Sequence, residues 1–154
     1  MKIYIGTDHA GFEFKEELKR YLPLLGLGYE VQDLGSFTLN PDDDYPDFVT
    51  PVAREVSEDI ESMGIILGGS GQGEAMCANK IKGVRAVVFY GQEDNELSPD
   101  TFEIVKLARE HNNSNIISIG ARFVTLDEAK FAVELFLATK FSGEERHIRR
   151  INKF

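Results

Sequence analysis

Two hydrophobic rhythms alternate along this chain. Lys2–Gly6, Glu30–Leu34, Gly64–Leu67, Arg85–Phe89 and Asn115–Ile119 are short, β-branched and mostly unbroken in apolar character. Strands buried on both faces of a parallel sheet look like this. Between them, Phe12–Leu22, Pro46–Glu58, Glu74–Lys80 and Thr101–His111 space their apolar residues three and four apart, which predicts amphipathic helices. Leu126–Thr139 extends that pattern past the last strand, and a short basic helix from about residue 144 closes the chain. A period that keeps switching implies right-handed βαβ crossovers. The expectation is an α/β fold, a three-layer α/β/α sandwich around a five-stranded parallel Rossmann-like sheet, forming one domain over residues 1–154. Only Thr38–Asp44 reads as a longer surface loop.

Composition narrows the function classes. With 42% hydrophobic and 28% charged residues the chain is of ordinary globular make-up. No apolar run approaches the roughly 18 residues that cross a bilayer, so no membrane association is expected. The first residues, Met1 to Gly6, read as a strand rather than a secretion signal. One cysteine, Cys77, rules out an internal disulfide framework and favours a reducing compartment, so the expected location is cytoplasmic. The 26 acidic against 17 basic residues give a charge of −9, which repels nucleic acid and anionic lipid. An anionic small molecule needs gathered cations, and Arg146, Arg149, Arg150 and Lys153 gather in the last nine positions.

Open parallel sheets bind ligands beyond the carboxyl ends of their strands. The first strand ends in Gly6-Thr7-Asp8-His9-Ala10-Gly11, where Asp8 either caps the next helix or faces a ligand with His9. The third ends in Gly68-Gly69-Ser70-Gly71-Gln72-Gly73-Glu74, which exposes consecutive backbone N–H groups as an anion or oxyanion cradle. Glu74 there either answers the helix dipole or stands over a substrate as a base. Position 76 is Met, so the glycines do not form a dinucleotide loop. His111-Asn112-Asn113 is a poor helix and a good turn, with His111 either closing its helix or serving chemistry. In the tail, Arg146 and Arg150 share a helical face, as a solvated cationic surface or as a phosphate clamp.

These stretches, with Asp44-Tyr45-Pro46-Asp47, Ala78-Asn79-Lys80, Gly83-Val84-Arg85-Ala86 and Gly120-Ala121-Arg122, together resemble the ribose-5-phosphate isomerase B family, which also holds the galactose-6-phosphate isomerase subunits. Many members carry a catalytic cysteine where this chain has Gly68; the chain is similar to the branch that uses a glutamate, at Glu74. Cys77 is expected to be structural. The resemblance implies an aldose–ketose isomerase of the pentose phosphate pathway that interconverts ribose 5-phosphate and ribulose 5-phosphate through an enediolate. Glu74 would be the base, with Ser70 and the N–H groups of Gly69, Gly71, Gln72 and Gly73 holding the oxyanion. His111, helped by Asp8, would open the sugar ring, Asn112 would bind hydroxyls, and His9, Arg122, Arg146 and Arg150 would contact phosphate. No metal or cofactor is implied. The expected assembly is a homodimer, or a dimer of dimers, with sites at the subunit interface. Isomerisation of a galactose, allose or four-carbon phosphate, and binding of a phosphosugar without catalysis, are the alternatives.

Overall fold

A computed structural model describes residues 1–91, 97 and 102–154. Strands β1 Lys2–Thr7, β2 Glu30–Asp33, β3 Met63–Gly68, β4 Ala86–Phe89 and β5 Ile116–Gly120 form one parallel sheet in the order β2-β1-β3-β5-β4. Thr7 lies opposite Leu67, and Gly68 opposite Gly120, so three strands end level. The helices are α1 Phe12–Tyr21, α2 Pro46–Glu58, α3 Gln72–Ala78, α4 Glu103–Asn112, α5 Leu126–Ala138 and α6 Glu145–Ile151.

Side chains alternate across the sheet because a strand has a period of two. Ile3, Ile5, Ile65, Leu67, Ile117 and Ile119 face α1, α4 and α5, where Leu18, Val105, Val133 and Phe136 meet them. Tyr4, Ile66 and Ile116 face α2 and α3, packing on Val49, Val52, Val56 and Ala78. Each fully buried aliphatic side chain contributes about 1.5–3 kcal/mol, so both faces hold the sheet. α2 approaches β1 closely because Gly6 lacks a Cβ; one there would stand 2.9 Å from the Phe48 carbonyl.

The sheet and layers are those the periodicity implies; the differences lie at element ends. α3 begins at Gln72, not Glu74, because Gly71 adopts a left-handed conformation (φ +75°) that turns the chain into the helix early. α4 runs from Glu103 to Asn112, and Asn113 (φ +46°) stops it in the turn that His-Asn-Asn predicts. Thr101, the first residue of the helix expected over Thr101–His111, lies outside the described residues. Leu22 leaves α1 for a 3₁₀ turn, Leu22–Leu25, because Pro23 cannot donate to a fourth helical turn. β2 alternates exposed and half-buried residues because it is an edge strand, not a doubly covered one. No helix among the described residues is long and apolar enough to cross a membrane.

Candidate active site

From β1 the chain passes to β2 on one side and then to β3 on the other. Connections leaving in opposite directions open a crevice at the carboxyl ends of β1 and β3, where such sheets bind ligands. The Thr7 hydroxyl donates to the Leu67 carbonyl at 3.0 Å, tying the two strand ends together.

After β1, Asp8 accepts the Ala10 N–H at 3.0 Å and shapes a 3₁₀ turn, His9–Gly11. Its capping role is therefore real, yet the carboxylate also lines the crevice. His9 is not a free loop residue. Its backbone N–H donates to Asp43 Oδ1 at 2.9 Å, and its Nδ1 lies 2.7 Å from the same oxygen.

After β3, the glycine loop is pinned onto β5. Ala121 and Arg122 N–H donate to the Gly68 and Gly69 carbonyls, and the Ser118 hydroxyl donates to the Gly71 carbonyl at 2.7 Å. Gly69, Ser70 and Gly73 line the crevice. Gly71 is buried against β5 and the exposed Gln72 gives its N–H to Ser70 Oγ at 3.3 Å; neither lines it. A Cβ on Gly69 would meet the Arg122 guanidinium at 3.3 Å, so that cation lies directly over the loop.

Glu74 stands in the first turn of α3, only 4% exposed. Burial pushes its carboxyl above the ordinary range, Asp8 adds to the rise, and its own backbone N–H opposes it. Burial wins, which leaves a stronger base than an ordinary carboxylate.

Asp8, His9, Tyr45, Ser70, Glu74 and Arg122 thus surround an open cleft of about 490 Å³. Tyr45 comes from the turn before α2, its hydroxyl near Gly73: a Cβ there would stand 2.8 Å from it. Asp8, His9 and Asp43 lie within 4.8 Å of one another, a group of potential cation ligands that the sequence did not disclose. Asp43 sits 34 residues beyond His9, in the loop read only as surface.

The remaining expected residues lie at the opposite edge of the sheet. His111 and Asn112 end α4 where the chain enters β5 from its amino end. Arg85 donates from Nε to the Asn112 and Asn113 carbonyls, holding that turn. The His111 ring packs on His147 of α6 at 4.2 Å, which places Arg146 and Arg150 at the same edge. With about 3.3 Å per strand residue, the six residues of β3 separate the two edges by roughly 20 Å. The expected site residues of one chain therefore fall into two separate groups, with Glu74 in one and His111 in the other.

Sequence reading did not find Asp43, Tyr45 or His147. Tyr45 stood in a quoted motif without a role. His147 sits between the arginines, 2% exposed, with Nδ1 at 2.9 Å from Ser142 Oγ. Burial, then the adjacent His111, hold its imidazole below the ordinary histidine range. Cys77 is half-buried between α3 and α2, with Sγ 3.6 Å from the Thr50 hydroxyl.

A family model described as Ribose/Galactose Isomerase matches residues 3–154. Ribose-5-phosphate isomerase B of Mycolicibacterium paratuberculosis is 41% identical over 152 residues, covering 99% of this chain and 88% of that protein. Among solved structures, ribose-5-phosphate isomerase B of Mycoplasma genitalium with bound ribulose-5-phosphate superposes with a TM-score of 0.87 at 36% identity, covering 99% of this chain and 92% of that one. The type B enzyme of Trypanosoma cruzi gives the same TM-score, identity and coverage.

Proposed function

The chain belongs to the ribose/galactose isomerase family, and we propose that it interconverts D-ribose 5-phosphate and D-ribulose 5-phosphate by proton transfer between C1 and C2. The observation that carries this reading is the buried Glu74 carboxyl, raised above its ordinary range, in a crevice that Gly69, Ser70 and Gly73 also line. Its relatives named ribose-5-phosphate isomerase B, one of them holding ribulose-5-phosphate, support the substrate.

Glu74 takes the proton from one carbon and returns it to the next. Such positioned transfer contributes about 10²–10⁴-fold. The Ser70 hydroxyl and the backbone of Gly69 and Gly73, which line the crevice with it, receive the negative charge that develops on oxygen, where losing one donor costs about 10²–10³-fold. Asp8 lies beside Glu74 and serves ring opening. His9 and Arg122 bind phosphate from this chain.

Charge argues for a second chain at the site. Asp8, Asp43 and Glu74 outnumber His9 and Arg122 around the cleft, a poor setting for a phosphate dianion. Arg150, and Arg146 with its Glu144 partner, cluster with His111 and Asn112 at the far edge of the same chain. A homodimer, alone or paired into a dimer of dimers, joins one chain's Glu74 edge to its partner's His111 edge. His111 then opens the cyclic sugar, Asn112 binds hydroxyls and the two arginines complete the clamp. The reaction belongs to the pentose phosphate pathway and to the cytoplasm, consistent with a lone cysteine and a reducing compartment.

An isomerase assay over four-, five- and six-carbon aldose phosphates tests this. Ribose 5-phosphate is the expected best substrate, and Glu74→Gln is expected to lower kcat by about 10²-fold or more while the substrate still binds. Preference for a six-carbon substrate, or near-normal turnover by the variant, would overturn it.

A further inference from the structure

Asp43 reaches His9 from the loop between β2 and α2, and its environment is unusual for a carboxylate. The side chain is 7% exposed. Oδ1 receives two hydrogens from a single residue, from the His9 backbone N–H at 2.9 Å and from the His9 ring at 2.7 Å. Oδ2 is buried and, among the described residues, has no hydrogen-bond partner. A bare buried carboxylate oxygen needs a compensating charge close by. The neighbour on its paired side is the imidazole.

The ring's orientation follows. An ionised carboxylate only accepts, so Nδ1 carries the hydrogen, and the ring's free nitrogen is Nε2. The His9 side chain is 29% exposed and lines the cleft beside Ser70, Glu74 and Arg122. A carboxylate behind a histidine fixes the ring's tautomer and orientation, as second partners do for functional histidines elsewhere.

We propose that Asp43 is a positioning residue for substrate binding, holding the His9 ring through Nδ1 so that Nε2 faces the bound substrate's phosphate. The inference rests on the reading of His9 as a phosphate contact and adds the group that aims it. Asp8 lies in the same cluster, but Asp43 is the one that touches the ring.

The test combines Asp43→Asn, His9→Ala and the double variant with ribose 5-phosphate kinetics. The amide that Asp43→Asn introduces keeps an acceptor for the His9 backbone N–H but holds no charge. Asp43→Asn is expected to raise KM about tenfold with kcat within about twofold, as for a group acting in ground and transition states alike. On the His9→Ala background the second change is expected to add less than about twofold. In the unaltered protein, nitrogen-15 NMR of the His9 ring is expected to show a protonated, hydrogen-bonded Nδ1.

An unprotonated Nδ1, an unchanged KM in Asp43→Asn, or full additivity on His9→Ala overturns the role of Asp43. His9→Ala with unaltered KM instead removes the phosphate contact itself, so the two failures separate. Should Asp43→Asn fold poorly, the ring NMR decides on the unaltered chain.

Discussion

The carboxylate of Glu74 fills the space that a side chain on Gly68 would occupy. A Cβ built on Gly68 coincides with the carboxyl group and stands 2.9 Å from Glu74 Cγ. These two residues, at the end of β3 and in the first turn of α3, are volume complements. A chain with a side chain at position 68 cannot hold Glu74 in this rotamer, so a thiol there and a carboxylate here exclude one another. The missing atom at Gly68 is part of how the acid is placed.

Gly68→Ala is therefore expected to expel Glu74 from its seat. Overpacking of this kind costs about 1–3 kcal/mol, and turnover should fall by about 10²-fold, as for loss of the acid itself. The stability part should vanish on a Glu74→Ala background, where the space is vacant. Thermal melts of the two single variants and the double variant measure the coupling; additive losses would show that the two residues do not share this volume.

Glu74 also makes folding stability depend on pH. Its carboxyl is raised in the folded chain, mainly by burial and further by Asp8. Between the ordinary carboxyl range and that raised value, the folded state binds more protons than the unfolded one. Stability is then fully present at acid pH and falls as pH rises through the folded value. Glu74→Gln removes this decline. The variant is expected to melt above the parent at pH 8 and to lose that advantage toward pH 4. Differential melts across that range check it; an equal difference at both ends would count against a buried, strained acid.

Division of the site between the two sheet edges is testable by mixing. Glu74→Gln spoils one half-site and His111→Ala the other. If the centre is composite, a hybrid dimer of these chains keeps one intact centre and one doubly defective centre. Random pairing then restores about a quarter of the parent activity from two nearly inactive parents. Co-expression followed by an isomerase assay reads this directly. Activity no greater than the parents' sum would mean that each chain works alone.

Much of the arrangement was legible along the chain because it is local. Ile3-Tyr4-Ile5 and Ile65-Ile66-Leu67 show doubly covered strands in any window of five residues. Gly69 to Glu74 announces a strand-to-helix turn with bare N–H groups, and His111-Asn112-Asn113 announces the end of a helix. Asp43 was illegible for the opposite reason. It belongs to a run of three aspartates with no periodicity, and only the path of the loop brings the middle one onto His9. His147 was masked by the arginines beside it, whose charge made the whole segment read as solvated surface.

The alternation of strands and helices, the strand-end loops and the chemical types gathered there are written in the chain, since each depends on neighbours a few residues apart. Tertiary structure alone decided which of those groups meet. It set Glu74 into the vacancy at Gly68, backed His9 with a carboxylate 34 positions away, and put His111 and the terminal arginines at the far end of the sheet. Burial, and with it the strength of Glu74 as a base, comes from how distant segments exclude water together; no local stretch of chain contains that information.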